Sequence, residues 1–518
     1  MSWEDEVRGI EERRKRALEQ GGPAALEKQH AQGRLSVRER IDALVDRDSF
    51  REQGPIAGAS ERDERGQLAG FTPANYVLGM ARVEGRPIVV GGEDFTLRGG
   101  SPSGAGLRKS VFAEELALRL RLPLVRLLEG GGGSVAPARG PRPPAVQDAS
   151  NAPPRFLSLA QVMASAPVVS AALGAVAGFP AARLVASHLS IMTRSTAQVL
   201  VGGPALVERA TGEKLGKEAL GGADVHARSG VVDVVAEDEA DAFAKIRRFL
   251  SYLPTNVWEP APVVAPADTR ERREEELLSI VPRDRRKTYR MRRLLELVLD
   301  RGSFFEIGAG FGRSLIGGLA RLDGQPVCAI ANDPYFYAGA MTAEAAQKLR
   351  RLVDLADTFH LPVVSFVDEP GFMIGSAAEQ AATIRHGTSA LFAVMQSSVP
   401  WVSVMVRKSY GVASAAHFGP AAHVLAWPSA ESGALPIEGG VAVAFRREIE
   451  AAPDPEARRR ELENELAARR DPFARAEAFG VHDLIDPRAT RPALCDWIDW
   501  IRPRLRSELG PRAWSIRP

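Results

Sequence analysis

Two separated stretches of this chain recur, diverged, at one fixed offset. Pro123-Leu124-Val125-Arg126-Leu127-Leu128-Glu129 returns as Pro362-Val363-Val364-Ser365-Phe366-Val367-Asp368. Ala81-Arg82-Val83-Glu84-Gly85-Arg86-Pro87 returns as Ala320-Arg321-Leu322-Asp323-Gly324-Gln325-Pro326. Both pairs lie 239 positions apart. A single offset across two stretches means duplication, so the chain folds as two similar domains. In each copy the apolar run ends in acid and then glycine: Glu129-Gly130-Gly131-Gly132-Gly133 in one, Asp368-Glu369-Pro370-Gly371 in the other. Bare backbone at the tip of a buried strand points to a site built from main-chain N–H groups.

The rest of the pattern fits around these copies. Residues 1 to about 48 read as a helical preamble, in which Ser36-Val37-Arg38-Glu39 has capping-box spacing. From Tyr76 to Pro254, short continuous apolar runs alternate with helical stretches such as Val111 to Leu122, the mark of buried parallel strands. Proline and then dense charge between Val257 and Thr288 read as a linker. The division is therefore 1–256, a linker over 257–289, and 290–518. The Pro-rich stretch Ala136 to Pro154 has two readings, a solvent-exposed loop or a lid over the first glycine cluster.

Composition removes several functions. The 67 basic and 65 acidic residues leave a formal charge of +2, without the basic footprint of a nucleic-acid binder. The two cysteines, Cys328 and Cys495, make neither a disulfide framework nor a zinc motif, and the eight histidines show no metal-ligand spacing, so no metal is expected. The charged N-terminus lacks a signal peptide's apolar core. The most apolar stretch, Pro167 to Pro180, is too short to span a bilayer. A cytoplasmic protein without membrane contact is expected. There is no dinucleotide fingerprint, P-loop or G-x-S-x-G elbow. His188, His226 and His417 read as structural. Chemistry here must rest on backbone electrostatics, with a cofactor or substrate supplying the base.

Each half offers two glycine-tipped strands. Glu129 to Gly133 goes with Gly174-Ala175-Val176-Ala177-Gly178, and Asp368 to Gly375 with Tyr410-Gly411-Val412-Ala413. Two N–H groups aimed at one oxygen form an oxyanion hole, worth roughly 3–4 kcal/mol per donor. In these segments and others, the chain resembles the carboxyltransferase (β) subunits of biotin-dependent acyl-CoA carboxylases, the propionyl-CoA and methylcrotonoyl-CoA carboxylase group. The resemblance runs through Gly33-Arg34-Leu35-Ser36-Val37-Arg38-Glu39-Arg40-Ile41, Asp94-Phe95-Thr96 with Gly99-Gly100-Ser101, and Leu220-Gly221-Gly222-Ala223. It continues through Ser251-Tyr252-Leu253-Pro254, Pro370-Gly371-Phe372, Arg385-His386-Gly387, Arg407-Lys408 and Ala426-Trp427-Pro428.

The resemblance implies an α/β fold of two tandem crotonase-like domains, each a β-β-α superhelix, in a trimer-of-dimers hexamer. It implies acyl-CoA at the N-terminal domain and carboxybiotin, delivered by a partner, at the C-terminal domain of the facing subunit. Gly131 and Gly132 fall on the glycine pair of the hole for the thioester enolate. Val412 and Ala413 fall on the hole for the biotin ureido oxygen. Ala177, Gly178 and Phe179 fall beside the CoA, and Ala415 falls where the family tunes acyl-chain preference. The partner expected is a biotin carboxylase with its biotin carboxyl carrier, because this sequence contains no Met-Lys-Met and no ATP-binding carboxylase domain.

The departures concern the same places. The usual Asp-Ser-Gly-Gly-Ala-Arg becomes Glu129-Gly130-Gly131-Gly132-Gly133-Ser134, the usual Gly-Gly-Ala-Tyr-Asp becomes Gly411-Val412-Ala413-Ser414-Ala415, and Phe179 stands for a glycine. Changed acyl preference, neutral drift and loss of catalysis all fit these differences. Two other functions stay open beside the carboxyltransferase: a biotin-dependent decarboxylase or transcarboxylase subunit, and a non-catalytic scaffold in a mixed hexamer.

Overall fold

The computed structural model describes residues 2–132, 156–266, 268–468 and 472–512. Gly133, Ser134 and the Pro-rich stretch 136–154 lie outside them. The chain divides into two compact units, with the boundary between Glu259 and Pro260, and residues 510–512 belong to the first unit.

The first unit is built on an eight-stranded sheet. Its order is Arg51–Glu52, Tyr76–Val83, Arg86–Glu93, Leu124–Gly130, Val168–Ala177, Leu189–Thr193 and Val234–Ala236, with Gln198–Leu200 paired to the far end of Val168–Ala177. The second unit repeats this order with Phe305–Glu306, Leu315–Leu322, Gln325–Asn332, Val363–Glu369, Trp401–Tyr410, His423–Ala426 and Asp483–Leu484, and Glu431–Gly433 takes the off-path place. In both, the first three strands are antiparallel and the rest parallel. Leu124–Gly130 and Val363–Glu369 are buried along their whole length and the strands beside them over most of theirs, which is why they read as continuous apolar runs.

The duplication extends to turns and caps. Each opening hairpin closes through two left-handed residues, Glu84-Gly85 and Asp323-Gly324, the tight turn whose twist matches paired strands. An aspartate accepts from both turn N–H groups in each unit. Asp46 takes Glu84 and Gly85 at 2.8 Å, and Asp300 takes Asp323 at 3.1 Å and Gly324 at 2.9 Å. Each unit also places a helix after the third strand, Gly104–Leu120 or Ala343–Thr358, capped by Ser103 or Thr342 accepting from the third helical N–H. Ser36 and Glu39 do form the expected capping box.

The segment 257–289 is not a linker. From Pro260 onward it is part of the second unit, and Leu277 and Tyr289 are buried in that unit's core with Leu294, Ile316 and Phe366. Its charge run conceals apolar anchors: Ile280 and Val281 pack on the same core, while Arg272 pairs with Glu274 at 3.0 Å and Glu276 with Arg293 at 2.7 Å. The far end differs from expectation as well, since Gly510 donates to the Val257 carbonyl at 2.8 Å and returns the chain to the first unit. Among the described residues no helix is long and apolar enough to cross a membrane.

Candidate active site: two glycine-lined strand tips

The strand pairing slips at the same place in both sheets. Leu128 faces Ala172 but Gly130 faces Val176, and Val367 faces Met405 but Glu369 faces Ser409. Such an irregularity bends the strand ends and re-aims the residues beyond them. Immediately past it, each unit brings two backbone turns together.

At the first tip, Gly178 ends one strand in the left-handed region (φ 64°) and starts the helix Phe179–Val185. A Cβ on Gly178 would lie 3.0 Å from the Cα of Gly132, so a side chain on Gly178 would crowd the other backbone. Gly131 donates its N–H to the Gly99 carbonyl at 3.0 Å, and Ser101 Oγ donates to the Gly132 carbonyl at 3.1 Å. Of the two donors expected here, Gly131 is therefore already committed. The Gly132 N–H has no acceptor among the described residues. Ala177 and Phe179 are half-buried and Gly178 is exposed. The Phe179 ring stands edge-on to Phe156 at 5.4 Å, with the Arg183 guanidinium over it at 4.2 Å.

The carboxylate beneath this tip is fully enclosed. Glu129 pairs with Arg34 and, at 2.6 Å, with Arg40, and it accepts from Gln29 Nε2 at 2.6 Å. Arg40 also reaches Glu239 at 2.7 Å, while burial pushes the Glu239 carboxyl up. A buried carboxylate is tolerable only with such full pairing. Glu93, at the end of the adjoining strand, is likewise buried and raised by desolvation, and it accepts from the Glu129 N–H at 3.3 Å.

The second tip repeats the plan with other side chains. Gly411 is left-handed (φ 63°) and starts the turn Val412–His417. A Cβ on Gly371 (φ 128°) would stand 4.0 Å from the carbonyl oxygen of Tyr410, the residue before Gly411. Val412 and Ala413 occupy the first two positions of the turn, where N–H groups have no acceptor within it. Val412 is 64% exposed, Ala413 is buried and Ala415 is exposed. Asp368 beneath is held by Arg407 at 2.9 Å, by the Tyr289 hydroxyl at 3.0 Å and by the Lys408 N–H at 3.1 Å.

Superposing the two plans strand by strand makes Gly132 the counterpart of Gly371, Gly178 of Gly411, and Phe179 of Val412. Pro180, which lacks an N–H, stands where Ala413 is. The residues expected for the two holes thus come from different turns of the repeat. The 239 offset conceals this, because the later strands repeat with a shorter one. The arginines and carboxylates under the tips escape the sequence reading, although the acid closing each apolar run marks their place. Among the described residues no cluster of three or more His, Cys, Asp or Glu could hold a metal.

The known proteins agree with this architecture. The carboxyl transferase domain model matches residues 28–506. The carboxyltransferase subunit of propionyl-CoA carboxylase from Haloferax mediterranei is 34% identical over all of both chains. The alpha subunit of methylmalonyl-CoA decarboxylase from Veillonella parvula is 32% identical over 92% of this chain and 91% of its own. A transcarboxylase 12S crystal structure, described as a hexamer assembly with methylmalonyl-coenzyme A and methylmalonic acid bound, covers all of this chain and 98% of its own. It has 30% identity and a TM-score of 0.86. The fold is accordingly the tandem crotonase-like α/β fold. The chain belongs to the carboxyl transferase domain family, as a carboxyltransferase of the biotin-dependent acyl-CoA carboxylases and transcarboxylases.

Proposed function

We propose that the first tip receives an acyl-CoA thioester and the second the ureido group of carboxybiotin carried by a partner protein. The observation that supports this is the repeated tip itself: Gly178 crowds the Gly132 backbone at the first, and Gly371 and Gly411, both at positive φ, hold the matching positions at the second. At the first tip, the Gly132 N–H can donate to the thioester oxygen as it gains charge on loss of the α-proton. At the second, the N–H groups of Val412 and Ala413 suit the ureido oxygen. When bound, carboxybiotin supplies both the carboxyl group, released as CO2, and the ureido nitrogen that takes the α-proton. The acyl-CoA carbanion equivalent then bonds to that CO2, so one C–H bond is exchanged for one C–C bond. Enclosed pairing of Glu129 and Asp368 keeps both tips rigid and keeps their charge from the developing oxyanion.

Partner and assembly belong to the same reading: a biotin carboxylase with its biotin carboxyl carrier, and a trimer of dimers in which the first tip of one copy faces the second tip of another. Purification with such a biotinylated partner, then ATP- and bicarbonate-dependent carboxylation of an acyl-CoA panel, tests it. Turnover on any acyl-CoA excludes the scaffold reading, and no turnover across the panel defeats the carboxylase reading. The 32% identity to a methylmalonyl-CoA decarboxylase subunit favours one second reading, the same tips working in the opposite direction. ATP-independent release of CO2 from a malonyl-type thioester would select it.

A further inference from the structure

Under the second tip lies a buried group of side chains that the chemistry above leaves unused. Glu369 closes its strand with its side chain wholly enclosed. One carboxylate oxygen accepts from the Gly371 N–H at 3.0 Å. The other accepts from Asn332 Nδ2 at 3.0 Å and lies 3.5 Å from His417 Nε2. The opposite ring nitrogen, Nδ1 of His417, is 2.9 Å from Ser365 Oγ, and the His417 carbonyl accepts from Ser403 Oγ at 2.6 Å. His417 is the last residue of the turn that begins with Val412 and Ala413. One carboxylate therefore joins the glycine of one backbone turn to the far end of the other.

We propose that Glu369 and His417 are a positioning pair for the second tip, fixing Gly371 relative to the Val412–Ala413 N–H groups. This rests on the reading that biotin is taken there. The first unit argues that the pair is specific: its matching positions are Gly130 and Leu184, and neither can make this bridge. The space is filled there by the Glu93 side chain from the adjoining strand, 3.2 Å from where a Cβ on Gly130 would stand. The charged neighbours of the pair are satisfied elsewhere. Asp368 is held by Arg407 and Tyr289, and Asp333, beside Asn332, pairs with Arg292 at 2.5 Å. Ser365, Ser403 and Asn332 are the uncharged groups facing it. Burial pushes the Glu369 carboxyl up, and His417 with the N–H donors draws it back. Ser365 Oγ, within hydrogen-bond reach of Nδ1, holds the His417 ring from the side opposite Glu369.

The test uses full-length protein and free d-biotin as acceptor of the carboxyl group from a malonyl-type CoA thioester. Glu369→Gln and His417→Gln each lower kcat/KM for biotin by roughly tenfold, the loss expected for a hydrogen bond to a charged group, and the double variant is little worse than either. The KM for the thioester stays unchanged. Ser365→Ala, which spares both members, moves the acidic limb of the biotin pH profile and serves where a glutamine variant fails to fold. An unchanged biotin kcat/KM and pH profile in folded variants overturns the proposal, as does a change confined to the thioester. Absence of transfer to biotin in the wild type defeats the second-tip reading itself, and the pair's role with it.

Discussion

Arg407 meets Asp368 at 2.9 Å from the neighbouring strand, and at the matching place in the first unit stands Gly174. A Cβ on Gly174 would overlap the carboxylate of Glu129. The two units thus solve the same problem, an acid buried under a glycine tip, in opposite ways. One uses a short acid and a long cation on the next strand. The other uses a longer acid over a bare glycine and draws Arg34 and Arg40 from the N-terminal segment.

Gly174→Ala therefore destabilises the first unit by about 1–3 kcal/mol through overpacking. Glu129→Asp shortens the acid and leaves room for the new methyl. In denaturant melts the double variant loses less than the sum of the two singles, a coupling expected for side chains in contact. Strict additivity would show that the two positions do not compete for one space.

Gly132→Pro deletes the open donor at the first tip and cuts turnover roughly a hundredfold, the usual cost of one oxyanion donor. Gly132→Ala is its control, because the added Cβ meets Gly178 Cα at an ordinary 3.5 Å. Gly131→Pro acts differently: it breaks the bond to the Gly99 carbonyl and lowers the melting temperature along with turnover. Steady-state kinetics beside thermal melts separates the two. Equal activity of Gly132→Pro and wild type would remove this donor from the chemistry.

The duplication and the central parallel strands are legible in the sequence because a strand buried on both faces must be apolar throughout. Charge compensation across long separations is not legible. Glu129 is neutralised by residues about 90 positions earlier, through contacts that leave no local pattern. The segment 257–289 misleads for the opposite reason: prolines and charges dominate its composition, while the few apolar residues that dock it, such as Leu277, carry no periodicity. His417 reads as structural from its type alone. Its bridge to Glu369 needs a register that only the folded sheet supplies.

Lys109 and Lys348 sit at matching places on matching helices, and burial draws both down to about 8. Lys348 Nζ donates to the carbonyls of Leu315 at 2.7 Å and Phe311 at 3.2 Å, and Lys109 Nζ to that of Gly54 at 3.1 Å. Because the folded values lie below the ordinary lysine value near 10.5, the unfolded chain holds more protons between these limits. Stability from these groups consequently rises with pH from about 8 to 10.5, and their full cost is present below pH 8. Replacing both by methionine flattens that rise relative to wild type in denaturant melts run at a series of pH values. A slope unchanged by the double substitution would mean that neither lysine is desolvated in solution.

On the proposed assignment, Phe179 at the first tip and Ala415 at the second each bear on the choice of acyl group. Phe179 brings an aromatic ring, backed by Phe156 and Arg183, to the first tip, where a glycine would leave space. Ala415 is exposed on the second turn and carries no charge. Ala415→Asp adds a carboxylate that disfavours long apolar chains, so kcat/KM across an acyl-CoA series moves toward the short members. Phe179→Gly opens the first tip and moves it toward the bulky ones, at the loss of about 0.5–1.5 kcal/mol of aromatic contact. Opposite shifts from the two substitutions mean that both turns bear on the acyl choice. If only Phe179→Gly changes the profile, selection lies wholly at the first tip and Ala415 has no part in it.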